Sequence, residues 1–210
     1  SANLVEIFAS IQGEGLYVGV PTIFVRLGGC DLRCRWCDSA NTWLQASRCR
    51  IEQAAGTGDF VDVANPVEIA EILRAVERLD PEQHAVVSVT GGEPLLQASA
   101  VGELAQGLRE AGRAVHLETH GLEVEALQSV VGSVNVVAMD WKLASEVARA
   151  EPRPQEASFH SRHEDFLRGA RDGGAEVFVK VVVSPRTTEE ELTTMCGHIA
   201  SISSDVPLVI

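Results

Sequence analysis

The sequence predicts an α/β fold in which parallel strands alternate with crossover helices. Apolar runs rich in β-branched residues alternate with amphipathic segments along most of the 210 residues. Four of these runs end in glycine-rich or polar tips, "LGGCD", "TGGEP", "ETHG" and "DWKLAS", as expected where chemistry gathers at the C-terminal ends of parallel strands. About six strands and about five helices fit, too few for an eight-fold barrel, so a partial (open) parallel β/α barrel is expected.

The strand candidates, in order, are "PTIFVRLGG", "HAVVSVTGG", "AVHLETHG", "VNVVAMDWK", "EVFVKVVVS" and the terminal "VPLVI". Between the first two, "NPVEIAEILRAVERL" reads as a helix with Asn65 as N-cap, Pro66 at the first position and Glu68 at the third. Its Val67, Ala70, Leu73, Val76 and Leu79 are predicted to share one apolar face. Further helices fit "LQASAVGELAQGLREAG", closed by Gly112, then "LEVEALQSVV", "FHSRHEDFLRGARDGG" and "TTEEELTTMCGHIASI". The stretch from about 44 to 65 follows no period and is expected to be a flexible excursion.

With 45% hydrophobic and 22% charged residues, the chain is expected to form one domain over 1–210. A formal net charge of -13 without a Lys/Arg cluster speaks against a nucleic-acid surface. No run reaches the roughly 18 apolar residues of a membrane span. Five cysteines, an odd number with three of them clustered, suit a reducing compartment, and a cytoplasmic location is expected.

The cluster "CDLRCRWC" sets Cys30, Cys34 and Cys37 within eight residues. A structural zinc site takes four protein ligands, commonly as two separated pairs, and a redox pair takes two thiols. Cys49 lies too far along to join the cluster, and Cys196 falls in a helical pattern. Three thiols alone suit an iron–sulfur cluster with one iron left open to a non-protein ligand. A zinc-binding module is the competing reading from another class.

The Cys-x3-Cys-x2-Cys spacing, with Trp36 before the last cysteine and a strand in front, resembles the signature of radical S-adenosylmethionine enzymes. That resemblance implies a [4Fe-4S] cluster on Cys30, Cys34 and Cys37 whose open iron chelates S-adenosyl-L-methionine, and one electron then cleaves the cofactor to a deoxyadenosyl radical. "TGGEP", Thr90 to Pro94, resembles the family's element for the cofactor's amino group.

The longer segment "EIFASIQGEGLYVGVPTIFVRLGGCDLRCRWCDSANTW" is similar to that of the 7-carboxy-7-deazaguanine synthase family, with resemblance at motif level from Glu6 to about Lys180. It implies contraction of 6-carboxy-5,6,7,8-tetrahydropterin to 7-carboxy-7-deazaguanine, with loss of ammonia. By the same resemblance Gln12, Gly13, Glu14, Arg26 and Thr90 would meet the pterin, Arg26 at its carboxylate. Trp36, Cys37, Asp38, Gly92, Glu93, Glu118, Lys142 and Ser145 would meet the cofactor, and Ser39 would bind Mg²⁺. His116 and His120 share a strand face with Glu118 and stay unassigned, while His160 and His163 are expected on a solvated helix face. An electron donor such as flavodoxin and a homodimer are expected partners, and a glycyl-radical-enzyme activase is the nearest enzymatic alternative. Family members usually continue beyond the last strand with a Gln- and Pro-bearing segment, so a substrate contact from such a tail would lie outside this sequence.

Overall fold

The structure is a computed structural model that describes residues 1–79, 83–84, 86–152 and 158–210. Ala85, inside one predicted strand, lies outside the described residues. In chain order the elements are β1 (Leu4–Ile11), β2 (Pro21–Leu27), β3 (Leu32–Cys34), β4 (Arg48–Glu52), β5 (Phe60–Ala64), α1 (Ile69–Arg78), β6 (Val86–Gly91), α2 (Ala98–Glu110) and β7 (Ala114–Thr119). They continue as α3 (Val124–Val130), β8 (Val136–Asp140), β9 (Val147–Arg149), α4 (His160–Asp172), β10 (Glu176–Lys180), α5 (Glu189–Ile202) and β11 (Leu208–Val209). No helix among the described residues is long and apolar enough to cross a membrane.

The main sheet has nine strands in the order β11-β10-β8-β7-β6-β2-β1-β4-β5. The predicted strands are six consecutive members of it, β11 to β2, and all pair in parallel. Three strands extend the sheet beyond β2: β1 antiparallel to β2, β4 parallel to β1, and β5 antiparallel to β4. The expected flexible excursion is therefore corrected, since it holds an ordered antiparallel pair. In β4, Cys49 and Ile51 are buried while Arg48 and Arg50 face out, the period-two pattern of a half-covered strand.

The predicted start of the first helix is also corrected. Val67 is held extended by an isolated bridge to Ala2, with N–H···O distances of 2.8 and 2.9 Å. Helical dihedrals therefore begin at Ile69, with Glu68 as N-cap. The Asn65 amide instead ties separate segments together, accepting from Leu4 N and donating to Leu4 O and Ala46 O. The buried stripe of α1 is Ile69, Ile72, Ala75 and Val76, so Ala70 faces solvent and Leu73 packs at the margin of the core. Gly112 does close α2, at φ 74°. α5 opens with a capping box in which Thr188 and Glu191 satisfy one another's backbone N–H groups.

Alternation along the parallel strands separates two faces. Val25, Val87, Val89, Val115, Leu117, Val137, Met139, Val177 and Val179 pack on the helices in the main core. The opposite face carries Phe24, Arg26, Ser88, Thr90, His116, Glu118, Ala138, Asp140, Phe178 and Lys180, offset by one residue. Its lower part is closed by Tyr17, whose ring lies 5.1 Å from that of His116 and 6.3 Å from that of Phe178. Its upper part, at the strand C-termini, is polar and open.

Candidate active site

The open end of the sheet is a cavity of about 500 Å³. One wall is the loop of three cysteines. Cys30, Cys34 and Cys37 are free thiols, all half-buried and all lining this cavity. The loop is framed before any metal is considered: β3 pairs with β9, Cys37 N donates to Cys34 O (3.3 Å), and Cys30 N donates to Trp43 O (3.1 Å). Burial pushes the Cys30 thiol up to about 12 and raises Cys34 as well, the latter opposed by the nearby Lys142 ammonium. Thiolates in such a place need a cation, and iron supplies one.

Next to the cysteines, Gly92 N–H donates to Leu27 O, and Glu93 N–H donates to Gly29 O at 2.8 Å. A Cβ on Gly92 would overlap the Gly29 carbonyl oxygen, so the two glycine loops meet at backbone distance. Trp36 lines the cavity with its indole N–H buried and without a hydrogen-bond partner, and the Lys142 ammonium sits 4.4 Å from its ring centre. Three thiols, an unpaired donor and a glycine cradle fit a cluster with a small polar cofactor beside it.

The opposite wall carries "QGEG". Gln12 Nε2 donates to Glu118 Oε1 (2.8 Å), and Gln12 Oε1 accepts from Glu14 N (3.1 Å). Glu118 also accepts from Ser88 Oγ (2.6 Å) and Thr90 Oγ1 (3.2 Å). Arg26, opposite Thr90 in the β2–β6 register, donates to Glu6 Oε1 at 3.0 Å. Ser39 lines the mouth, its hydroxyl makes no capping bond, and its carbonyl accepts from Thr42 N and Oγ1.

Two charge networks brace these walls. In the first, His120 Nδ1 accepts from Leu122 N, so Nε2 donates to Asp31 Oδ1 (3.0 Å), and Asp31 also pairs with Arg149. Burial works to raise the Asp31 carboxyl, but His120 and Arg149 outweigh it and hold it at about 2. Asp31, His120 and Glu123 come close enough to suggest a cation site, yet Arg149 Nη1, 3.6 Å from Glu123 Oε1, already supplies the positive charge. In the second network Asp140 Oδ2 lies 3.3 Å from Lys142 Nζ and 3.9 Å from Lys180 Nζ, and Lys180 reaches Glu14 Oε2 at 2.7 Å.

A family model described as a 4Fe-4S single cluster domain matches residues 11–159. A 7-carboxy-7-deazaguanine synthase of Geobacter sulfurreducens is 37% identical over 213 residues, spanning 100% of this chain and 80% of that protein. The chain belongs to the 7-carboxy-7-deazaguanine synthase family. A second such synthase, from Thermococcus kodakarensis, is 34% identical over 99% of this chain and 82% of its own length. The crystal structure of QueE from Escherichia coli matches with a TM-score of 0.53 at 18% identity, over 99% of this chain and 92% of that one. A structure of anSMEcpe with bound AdoMet matches with a TM-score of 0.55 at 12% identity, over 87% of this chain and 47% of that one. At those identities the two structures speak for the fold alone, a partial open barrel.

Among the residues singled out from sequence, Gln12, Gly13, Glu14, Arg26, Trp36, Asp38, Ser39, Thr90, Gly92, Glu118 and Lys142 all line the one cavity with the three cysteines. Glu93 does not present its carboxylate there. It is fully buried, with Oε1 accepting from Leu95 N and Thr119 Oγ1, and Oε2 accepting from His120 N. Ser145 is not brought to the cavity: a turn in which Glu146 N and Val147 N donate to Leu143 O leaves it exposed, its N–H directed to Glu191. His160 and His163 are not on a solvated face. His163 is fully buried, bridging Gly121 O and Lys142 N, and Trp141 Nε1 donates to His160. The cavity also takes in Asp140, His120 and Lys180, which sequence reasoning left without a role. Each lies at or just beyond the C-terminal end of an observed strand, β7, β8 or β10; the predicted run "EVFVKVVVS" continues four residues past Lys180 and so hides its terminal position.

Proposed function

We propose that this chain contracts 6-carboxy-5,6,7,8-tetrahydropterin to 7-carboxy-7-deazaguanine with release of ammonia, as a radical S-adenosylmethionine lyase of queuosine biosynthesis. The observation that carries this reading is that one cavity holds three free thiols at Cys-x3-Cys-x2-Cys spacing on one wall and the "QGEG" loop with Arg26 on the other. The [4Fe-4S] cluster and S-adenosyl-L-methionine, when bound, supply hydrogen-atom abstraction and its reversal.

The residues of the chain do the rest. Cys30, Cys34 and Cys37 would hold the cluster, and Trp36, Asp38, Gly92 and Lys142 would border the cofactor. Gln12 and Glu14 offer an amide and a carboxylate to the amino and lactam edge of a pterin, and Arg26 offers a planar fork to its carboxylate. Glu118 holds Gln12 in place by the 2.8 Å bond to its amide. A cavity of about 500 Å³ suits small-molecule ligands rather than a protein segment, which favours the lyase over an activase of a partner protein. A bound Mg²⁺ is supported by the position of the Ser39 hydroxyl at the mouth, where a hard cation could join it to substrate oxygens. Flavodoxin-type reduction, a homodimer and a cytoplasmic setting belong to the same reading, each as an expectation of its own.

The test is anaerobic incubation of the reconstituted protein with the carboxy-tetrahydropterin, S-adenosyl-L-methionine and a reductant. Mass analysis should find the deazapurine formed in step with ammonia. Protein with an intact cluster spectrum that returns the pterin unchanged would defeat the proposal.

A further inference from the structure

The "QGEG" loop rests on β10 through two residues of one strand face. Gly15 has φ 67°, and a Cβ there would overlap the Phe178 ring, so the loop lies directly on that ring. Two residues on, the Lys180 ammonium meets Glu14 Oε2 at 2.7 Å. Lys180 is itself nearly buried, and burial of its ammonium is outweighed by Asp140, Glu118 and Glu14, which hold it protonated, raised to beyond its usual range. Of its other two carboxylate neighbours, Asp140 lies 3.9 Å away and is shared with Lys142, and Glu118 is held by Gln12, Ser88 and Thr90. The Glu14 side chain, by contrast, is 63% exposed at the cavity.

We propose that Lys180 is a positioning residue for substrate recognition, acting through Glu14 and anchored from below by Asp140. This rests on the reading that Glu14 meets the pterin. With one end of the ion pair open to water, the pair adds little to folding. A ligand seated against Glu14 covers that end, removes its water, and so strengthens the pull of Lys180 on the carboxylate. Lys180 thereby fixes which oxygen of Glu14 remains for the ligand and where it points. The contribution is realised when the substrate half of the cavity is filled. Lys180 approaches the cofactor half, bordered by Trp36 and Lys142, through Asp140, which it shares with Lys142, and through Glu118.

The experiment measures the affinity of cluster-loaded protein for 6-carboxy-5,6,7,8-tetrahydropterin and, separately, for S-adenosyl-L-methionine, under anaerobic conditions. Lys180→Met, Lys180→Arg, Glu14→Gln and the Lys180→Met/Glu14→Gln double variant are compared with the parent. Lys180→Met should weaken pterin binding about tenfold or more, leave cofactor binding close to the parent, lower the thermal midpoint as Asp140 and Glu118 lose a cation, and be largely rescued by Lys180→Arg. Glu14→Gln should weaken pterin binding too, and the double variant should lose little beyond Lys180→Met alone. If the Met variant loses its thermal transition, Lys180→Gln takes its place. Glu14→Gln weakening pterin binding while Lys180→Met does not would overturn the inference and leave the reading of Glu14 standing. Pterin affinity untouched by Glu14→Gln would instead remove the reading on which it rests. Equal loss of both ligands in Lys180→Met would mark a structural lysine and also overturn the inference.

Discussion

His116 stands beneath the cavity with 1% of its surface exposed, its ring packed on Tyr17 at 5.1 Å and Phe178 at 6.0 Å. Both ring nitrogens are buried without a hydrogen-bond partner. Burial is the main cause that brings its imidazole from 6.5 down to about 4, with Lys180 adding to the effect and Glu118 opposing it. Between those two values an unfolded chain holds a proton that the folded chain does not. Stability from this residue is therefore complete above pH 6.5 and is lost as pH falls toward 4. At about 1.4 kcal/mol per pH unit, that window is worth about 3 kcal/mol. His116→Leu keeps an apolar side chain of similar size and removes the titration. Urea unfolding of parent and variant, both free of metal, should show the parent losing about 3 kcal/mol more than the variant between pH 7 and pH 4. Groups remote from the ring are common to both proteins, so the difference reports this ring together with its interaction with Glu118. Parallel stability curves would show that His116 takes up its proton in the fold as freely as in water, and the argument from burial would be wrong.

Three further outcomes are expected. Cys30→Ala, Cys34→Ala and Cys37→Ala should each abolish the visible cluster absorbance after reconstitution, while Cys49→Ala and Cys196→Ala keep full iron content; Cys49 is buried in β4 and Cys196 is exposed on α5, away from the cavity. Arg26→Lys keeps charge but loses the planar fork, so pterin affinity should fall about tenfold with cofactor affinity unchanged; equal loss of both would assign Arg26 to holding Glu6, its 3.0 Å partner. Ser39→Ala should leave the cluster spectrum intact, slow turnover and blunt its response to added Mg²⁺, with Ser39→Thr keeping both. An unaltered Mg²⁺ response in the Ala variant would place the metal elsewhere.

The parallel half of the sheet was legible because its strands are buried on both faces or nearly so, which leaves continuous β-branched runs such as "VVSV" and "VNVVAM". The β4–β5 pair was hidden by composition: "RCRIE" alternates over only five residues, and its outward face is arginine. β1 was read for its motif alone, although Leu4, Ile7 and Ala9 are buried. The start of α1 misled because Asn65 and Pro66 look like a helix entry, and only the tertiary bridge from Val67 to Ala2 shows otherwise. At the site, the cysteines and "QGEG" carry local spacing that sequence displays. His163 and Glu93 do not: His163 meets Lys142, 21 residues away, and Glu93, beside its local bond to Leu95, is held by Thr119 and His120, 26 and 27 residues away. Burial of a polar side chain inside a network is settled by the fold and has no period to betray it.

The loop that bears the thiols is itself part of a sheet. β3 pairs with β9 through three residue positions, Ala150 N donates to Asp31 O at 2.7 Å, and Arg35 N donates to Glu146 O at 3.0 Å. None of these bonds involves sulfur. These bonds offset part of the entropy of ordering the loop, a contribution that small zinc modules draw from the metal. The thiol loop is thus tied to the fold by a backbone ladder of its own, separate from whatever bonds its sulfurs make.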